Sequence, residues 1–168
     1  MCSILISGYY GFDNAGDEAI LQSLVTELKR AYSDIDIVVL SANPEKTAHD
    51  FGIRAVNRSN VIQIVRSIRK CNILISGGGS LFQDTTSIFN MWYYGSIIMM
   101  AIMMKKQVFA FAQGIGPVNS SINKKLLKCI MNRVQNVSVR DKRSLEQLKK
   151  IGVNRKISCT IDPAFLNT

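Results

Sequence analysis

The chain has 168 residues, 47% of them hydrophobic, and a formal charge of +9. That length buries the core of one domain, and so apolar a composition excludes a disordered chain. The charge is unevenly placed, with 3 Lys/Arg against 8 Asp/Glu in residues 1–53 and 18 against 4 in residues 54–168. That asymmetry suits a phosphate-bearing substrate, a nucleic acid or an anionic membrane surface without choosing among them.

SILIS (3–7) is a continuous apolar run, as in a strand buried on both faces. It leads into GYYGFDNAGDEAIL (8–21), a glycine-rich turn that feeds a helix. Backbone N–H groups in such a turn, and the helix N-terminus, favour an anion. From Glu18 to Tyr32 the residues Ile20, Leu21, Leu24, Val25, Leu28 and Ala31 form one apolar stripe, with Asp17 as N-cap or first-turn acid. DIVVLS (36–41) reads as a second strand closed by Asn43-Pro44, and IRAVNR (53–58) as a short third. Val61, Ile62, Ile64, Val65 and Ile68 mark the next helix, with Arg66, Arg69 and Lys70 off its apolar face. NILIS (72–76) is another buried strand and runs straight into Gly77, Gly78 and Gly79.

SIFNMWYYGSIIMMAIMM (87–104) is broken by Asn90, Gly95 and Ser96, so its apolar part falls short of the ~20 residues a membrane span needs. It reads as a buried helix whose methionines fill core gaps. QVFAFAQ (107–113) is a strand ending in Gly114-Ile115-Gly116-Pro117, and Ile122, Leu126, Leu127, Ile130, Met131 and Val134 mark a helix. NVSVR (136–140) is a strand, Lys142 to Ile151 a helix, and ISCTI (157–161) a last strand before Asp162-Pro163.

This alternation predicts an α/β fold over residues 1–168, a Rossmann-like, mostly parallel sheet with helices on both faces. Such sheets bind ligands at the carboxyl ends of their strands. Eight of the eleven glycines (8, 11, 16, 77, 78, 79, 114 and 116) follow a predicted strand, which points to a binding crevice there. The four cysteines are scattered and His49 is the one histidine, an arrangement that argues against a zinc site of the usual spacing. His49 itself, in the polar stretch TAHD, reads as solvated surface. With no signal peptide, the expected compartment is a reducing cytoplasm. The first glycine loop lacks the G-x-G-x-x-G spacing, and no P-loop motif occurs. Basic residues are not interleaved with exposed aromatics, so nucleic acid is not an expected partner.

Five stretches then occur in order: GYYGFDNAGDEAIL, ISGGGSLFQDTTS (75–87), AQGIGPV (112–118), SVRDKRSLEQL (138–148) and DPAF (162–165). Together they resemble the polysaccharide pyruvyl transferases, especially the bacterial enzymes that pyruvylate secondary cell-wall polysaccharide. One departure is Asp13, where glycine or another small residue is expected; aspartate tolerates a left-handed backbone. Members of this family resemble two-domain GT-B-type enzymes, so the resemblance implies an N-terminal domain whose C-terminal partner domain is absent from this sequence. It further implies transfer of pyruvyl from phosphoenolpyruvate, as donor substrate with no other cofactor or metal, to a sugar or lipid-linked glycan acceptor. Reaction at the cytoplasmic face of a membrane would fit such an acceptor, and oligomeric state is left open.

The resemblance makes Arg140, at the end of its strand, the clamp for phosphoenolpyruvate, with pairing to Asp141 as the structural alternative. Asp17 is the base or acceptor anchor, or simply a cap. Asn14 would contact the sugar acceptor or simply hold the turn, the glycine turn with Gly8 and Gly16 would help hold that acceptor, and Tyr10 or Tyr9 would stack on a sugar, though one of the two is expected in the core. Gly77, Gly78 and Gly79 would line the crevice with Ser80 and Gln83 as donors; Asp84 would orient the acceptor or cap a helix, and Gln113 would point inward. Lys105, Lys106, Lys124, Lys125 and Lys128 read as a solvated face, with attraction to an anionic membrane as the sharper alternative. Two rival functions remain, half of a sugar-nucleotide glycosyltransferase and a non-catalytic module that binds glycan or anionic polymer.

Overall fold

The computed structural model describes residues 2–83 and 88–160. Every strand pairing in it is parallel. Strands β1 (Cys2–Ser7), β2 (Ile35–Ser41), β3 (Arg54–Asn57), β4 (Ile73–Ser76), β6 (Gln107–Ile115), β7 (Asn136–Val139) and β8 (Ile157–Cys159) lie in the order β3-β2-β1-β4-β6-β7-β8. The order reverses between β1 and β4, and the crevice of a doubly wound sheet opens at such a point.

A further strand, β5 (Gly79–Phe82), was not expected from the glycine run. It is built because β6 is nine residues long. The first part of β6 pairs with β4, from Ile73–Gln107 to Ser76–Ala110, and its end pairs with β5 at Gly79–Gln113 and Phe82–Ile115. The line of β4 therefore resumes after Gly77 and Gly78, and β5 projects past the end of β1. β6 itself continues through Gly114 and Ile115 rather than stopping at Gln113, with a register irregularity between Ala110 and Gln113 where Ala112 has φ +46°. Ser138 serves that irregularity, accepting from the Ala112 N–H at 2.8 Å.

Period-two alternation divides the core between the two faces. Ile4 and Ile6 of β1 and Ile37 and Val39 of β2 pack with Leu21, Leu24 and Val25 of α1 (Ala15–Ala31). Leu5, Val38 and Leu40 face the other way, in the layer of α3 (Val61–Lys70), α4 (Ile88–Met103), α5 (Ser121–Met131) and α6 (Lys142–Ile151). Each fully buried aliphatic side chain contributes roughly 1.5–3 kcal/mol relative to exposure. α4 is a helix of this domain, burying Met91, Tyr94, Ile97, Ile98 and Ala101, and among the described residues no helix is long and apolar enough to cross a membrane. Not all its methionines fill gaps, since Met103 is exposed.

One helix was not legible. Asn43-Pro44 does more than close a strand, because Asn43 caps and Pro44 opens α2 (Pro44–Phe51), ended by Gly52 in the left-handed region. His49 stands exposed on it. Asp13 adopts φ +59°, as an aspartate tolerates, and pairs with Lys46 of α2. Lys124, Lys125 and Lys128 are exposed on α5. Asp84, the end of the last strand at residue 161, and DPAF all lie outside the described residues.

Candidate functional site

At the reversal point the loop after β1 and the projecting β5 enclose a crevice of about 470 Å³. The β1–α1 segment contributes Tyr9, Asn14, Gly16, Asp17 and Ile20, and β5 with its following residue contributes Gly79, Ser80, Leu81 and Gln83. Asn90 and Tyr94 reach in from α4, and Arg140 from the end of β7.

The local sequence explains these placements. Asn14, not Asp17, caps α1: its side-chain oxygen accepts from Gly16 N at 3.1 Å and Asp17 N at 3.3 Å. Asp17 is a first-turn acid, where the helix dipole favours a carboxylate. Glu18, beside it, turns the other way and ties down the loop by accepting from Gly11 N at 2.8 Å. Gly79 has φ +100°, and a Cβ there would lie 2.5 Å from Asp17 Oδ1, so Asp17 lies over that glycine. Arg140 lies flat across β6 in the same manner, since a Cβ on Gly114 would come 2.8 Å from its Nε. Arg140 Nη2 donates to Ser80 Oγ at 2.8 Å, while its ion pair with Asp141 is long at 3.7 Å. The Asp141 carboxylate has its own task as N-cap of α6, accepting from Ser144 N at 2.7 Å.

Of the residues singled out from the sequence, Asn14, Gly16, Asp17, Gly79, Ser80, Gln83 and Arg140 thus meet at one crevice. Five others lie beneath it. Tyr10 is fully buried and cannot stack on a ligand; of the tyrosine pair it is Tyr9 that faces the crevice. The Tyr10 ring occupies the space a side chain on Gly8 or Gly77 would take, so those glycines admit Tyr10 and not a ligand. Gly78 is hemmed in by Ile20 and the Ala112 carbonyl, where a Cβ would sit at 3.1 and 3.2 Å. Gln113 does not point into the crevice either. It is buried, and its Nε2 donates to Ser76 O at 2.7 Å and Gly77 O at 2.8 Å, which pins the break between β4 and β5.

Burial leaves marks on the tyrosines. The Tyr10 hydroxyl has no hydrogen-bond partner, and desolvation, with the Asp17 carboxylate second, drives its pKa far up. Tyr94 is pushed up to about 12, chiefly by burial, although the Arg58 guanidinium works against the rise. Tyr94 donates to Gly8 O at 3.2 Å and accepts from Arg58 Nη1 at 3.1 Å, so it ties the first loop to the end of β3.

Sequence reasoning missed Asn90, Tyr94 and Arg58. Asn90 and Tyr94 were submerged in a stretch read only as core. Arg58 carried a usable signal: it ends IRAVNR as Arg140 ends NVSVR, a cation at the carboxyl edge of a strand. Among the described residues no three His, Cys, Asp or Glu side chains converge as a metal site would require.

Chemically the crevice offers an arginine fork and a carboxylate at a helix start, with amide and hydroxyl groups and an aromatic edge between them. Such a set can hold an anion and a polyhydroxylated molecule side by side. Residues 14–168 match the family model described as polysaccharide pyruvyl transferase. The amylovoran biosynthesis protein AmsJ of Erwinia amylovora is 22% identical, the match covering 97% of this chain and 48% of that protein. The chain therefore spans about half the length of the curated relative it matches. Among solved structures, a UDP-N-acetylglucosamine 2-epimerase superposes with a TM-score of 0.60 at 15% identity, over 95% of this chain and 48% of the other. An alpha-glucosyltransferase in complex with UDP and a 13-mer DNA superposes at 0.54 and 11% identity, over 95% and 42%. These two likenesses concern the fold, that of one half of a GT-B-type enzyme.

Proposed function

The chain belongs to the polysaccharide pyruvyl transferase family, and from that premise we propose that its crevice binds phosphoenolpyruvate beside a sugar acceptor and transfers the pyruvyl unit as a cyclic ketal. Carbon 2 of the donor forms bonds to two sugar oxygens and loses its bond to the phosphate oxygen. Of the two hydroxyl protons, one goes to the donor methylene, which becomes a methyl group, and the other departs with phosphate. Arg140 grips the donor's anionic groups, for which a planar fork of donors is suited. Asp17 takes a hydroxyl proton or orients the acceptor, in a crevice that Asn14 and Gln83 also line. The acceptor is a polysaccharide sugar or lipid-linked glycan, met on the cytoplasmic side of a membrane.

What carries this reading is that Asp17 and Arg140, 123 residues apart in sequence, line one crevice with Ser80 bonded to the arginine. Calorimetric titration of phosphoenolpyruvate into the chain and its Arg140→Ala variant tests it, with inorganic phosphate and UDP as control ligands. Saturable binding of phosphoenolpyruvate that the substitution weakens at least tenfold is expected. Equal binding by both proteins, or tighter binding of UDP, refutes it.

A further inference from the structure

Arg58 stands just past β3. It is half-buried, and four aromatic rings surround its guanidinium carbon, at 4.4 Å for Tyr93, 4.9 Å for Phe12, 5.4 Å for Tyr94 and 6.0 Å for Tyr9. Its side chain donates from Nη1 to the Tyr94 hydroxyl and also hydrogen-bonds the Tyr93 phenol, and no carboxylate among the described residues pairs with it. Two exposed arginines do pair with carboxylates, Arg54 with Asp36 and Arg30 with Glu27.

Removing a guanidinium from water without a counter-charge is costly. Ring faces offset part of that cost and also fix the plane of the group, which leaves its remaining donors oriented but unused. The backbone is also anchored apart from the guanidinium, Arg58 N to Ser41 O at 2.9 Å and Tyr93 Oη to Arg58 O at 2.7 Å. Two of the four rings, Tyr9 and the buried Tyr94, also line the crevice, and Phe12, stacked on Tyr9 at 4.1 Å, is 43% exposed.

We propose that Arg58, which stands behind the lining of the crevice and not in it, is a second anion-binding residue beside this site, taking a phosphoryl or carboxyl group borne by a sugar that lies against Tyr9. The planar cation donates its remaining N–H groups to the oxyanion while Tyr9 and Phe12 pack against the sugar. The idea rests on the pyruvyl-transfer reading only in taking a sugar to be the occupant; Arg140 and the donor play no part in it.

The probe is glucose 1-phosphate, followed by fluorescence of Trp92, the one tryptophan, which adjoins Tyr93 on α4. Methyl glucoside and inorganic phosphate are the comparison ligands. Saturable binding of glucose 1-phosphate is expected, at least tenfold weaker in Arg58→Gln and several-fold weaker in Arg58→Lys, which keeps the charge but loses the fork. Methyl glucoside should not distinguish the three proteins. Circular dichroism confirms that each variant is folded, and the lysine variant carries the test alone if the glutamine variant is not. Equal affinity of wild type and variant overturns the proposal, as does no binding to the wild type. Inorganic phosphate binding as tightly as the sugar phosphate overturns the claim that the anion is sugar-borne. Failure of the donor reading would appear elsewhere, as phosphoenolpyruvate binding indifferent to Arg140→Ala.

Discussion

Two glycines on the wall of the crevice should respond to alanine with opposite signs. At Gly79 the backbone φ of +100° is one that L side chains rarely adopt, and the new Cβ would stand 2.5 Å from Asp17 Oδ1. Holding a non-glycine residue in so sparse a region costs roughly 1–3 kcal/mol. A domain of this size loses about 2–4 °C of Tm per kcal/mol, so Gly79→Ala should melt ~2–12 °C below wild type. Gly16 sits in the first turn of α1, and its added Cβ would meet Asn14 Oδ1 at 3.4 Å, an ordinary contact. Substitution there removes unfolded-state freedom at little native cost, a gain of about 0.4–1 kcal/mol. Gly16→Ala should therefore melt ~1–4 °C above wild type. Thermal unfolding followed by circular dichroism reads both. If Gly79→Ala were as stable as wild type, or if Gly16→Ala lost as much as Gly79→Ala, the account of Asp17 lying over β5 would be wrong.

Two buried tyrosines should likewise part company. Tyr10→Phe deletes a hydroxyl that has no partner and should raise stability by up to about 1–2 kcal/mol, whereas Tyr94→Phe breaks bonds to Gly8 and Arg58 and should lower it by about 1–3 kcal/mol. Urea midpoints decide this, and a Tyr10→Phe protein as destabilised as Tyr94→Phe contradicts the packing described. A pH dependence follows from the same pair. Both folded phenols are held above the ordinary tyrosine value of 10.0, so their contribution is intact below that value and is lost as pH rises through the folded values, about 12 for Tyr94. Tm should fall steeply from pH 10 upward, and less steeply in Tyr10→Phe; an unchanged Tm up to pH 12 would rule this out.

The course of the chain through the sheet was legible because buried parallel strands are continuous apolar runs and the helices between them carry a 3.6-residue stripe. SILIS, DIVVLS and NILIS each sit within one or two residues of the observed strand, and α6 has the predicted bounds. What failed were short elements whose stability is not local. PEKTAHDF has too few apolar residues to announce α2, and GSLF becomes a strand only because β6 runs on beside it.

The sequence by itself determined the fold class, the family and the strand ends at which the crevice opens, since periodicity and ordered motifs are properties of the chain. Only the tertiary structure decided which glycines serve the crevice. Gly8, Gly77 and Gly79 look alike in sequence, yet the first two give way to the Tyr10 ring while the third faces Asp17. A glycine's role is set by what occupies the space its missing side chain leaves, and that neighbour comes from elsewhere in the chain. Arg58 and Arg140 differ for the same reason: one is enclosed by aromatic rings from the β1 loop and α4, the other lies across Gly114 beside Ser80. No count along the chain separates them, because distance through space is what fixes the environment of a charge.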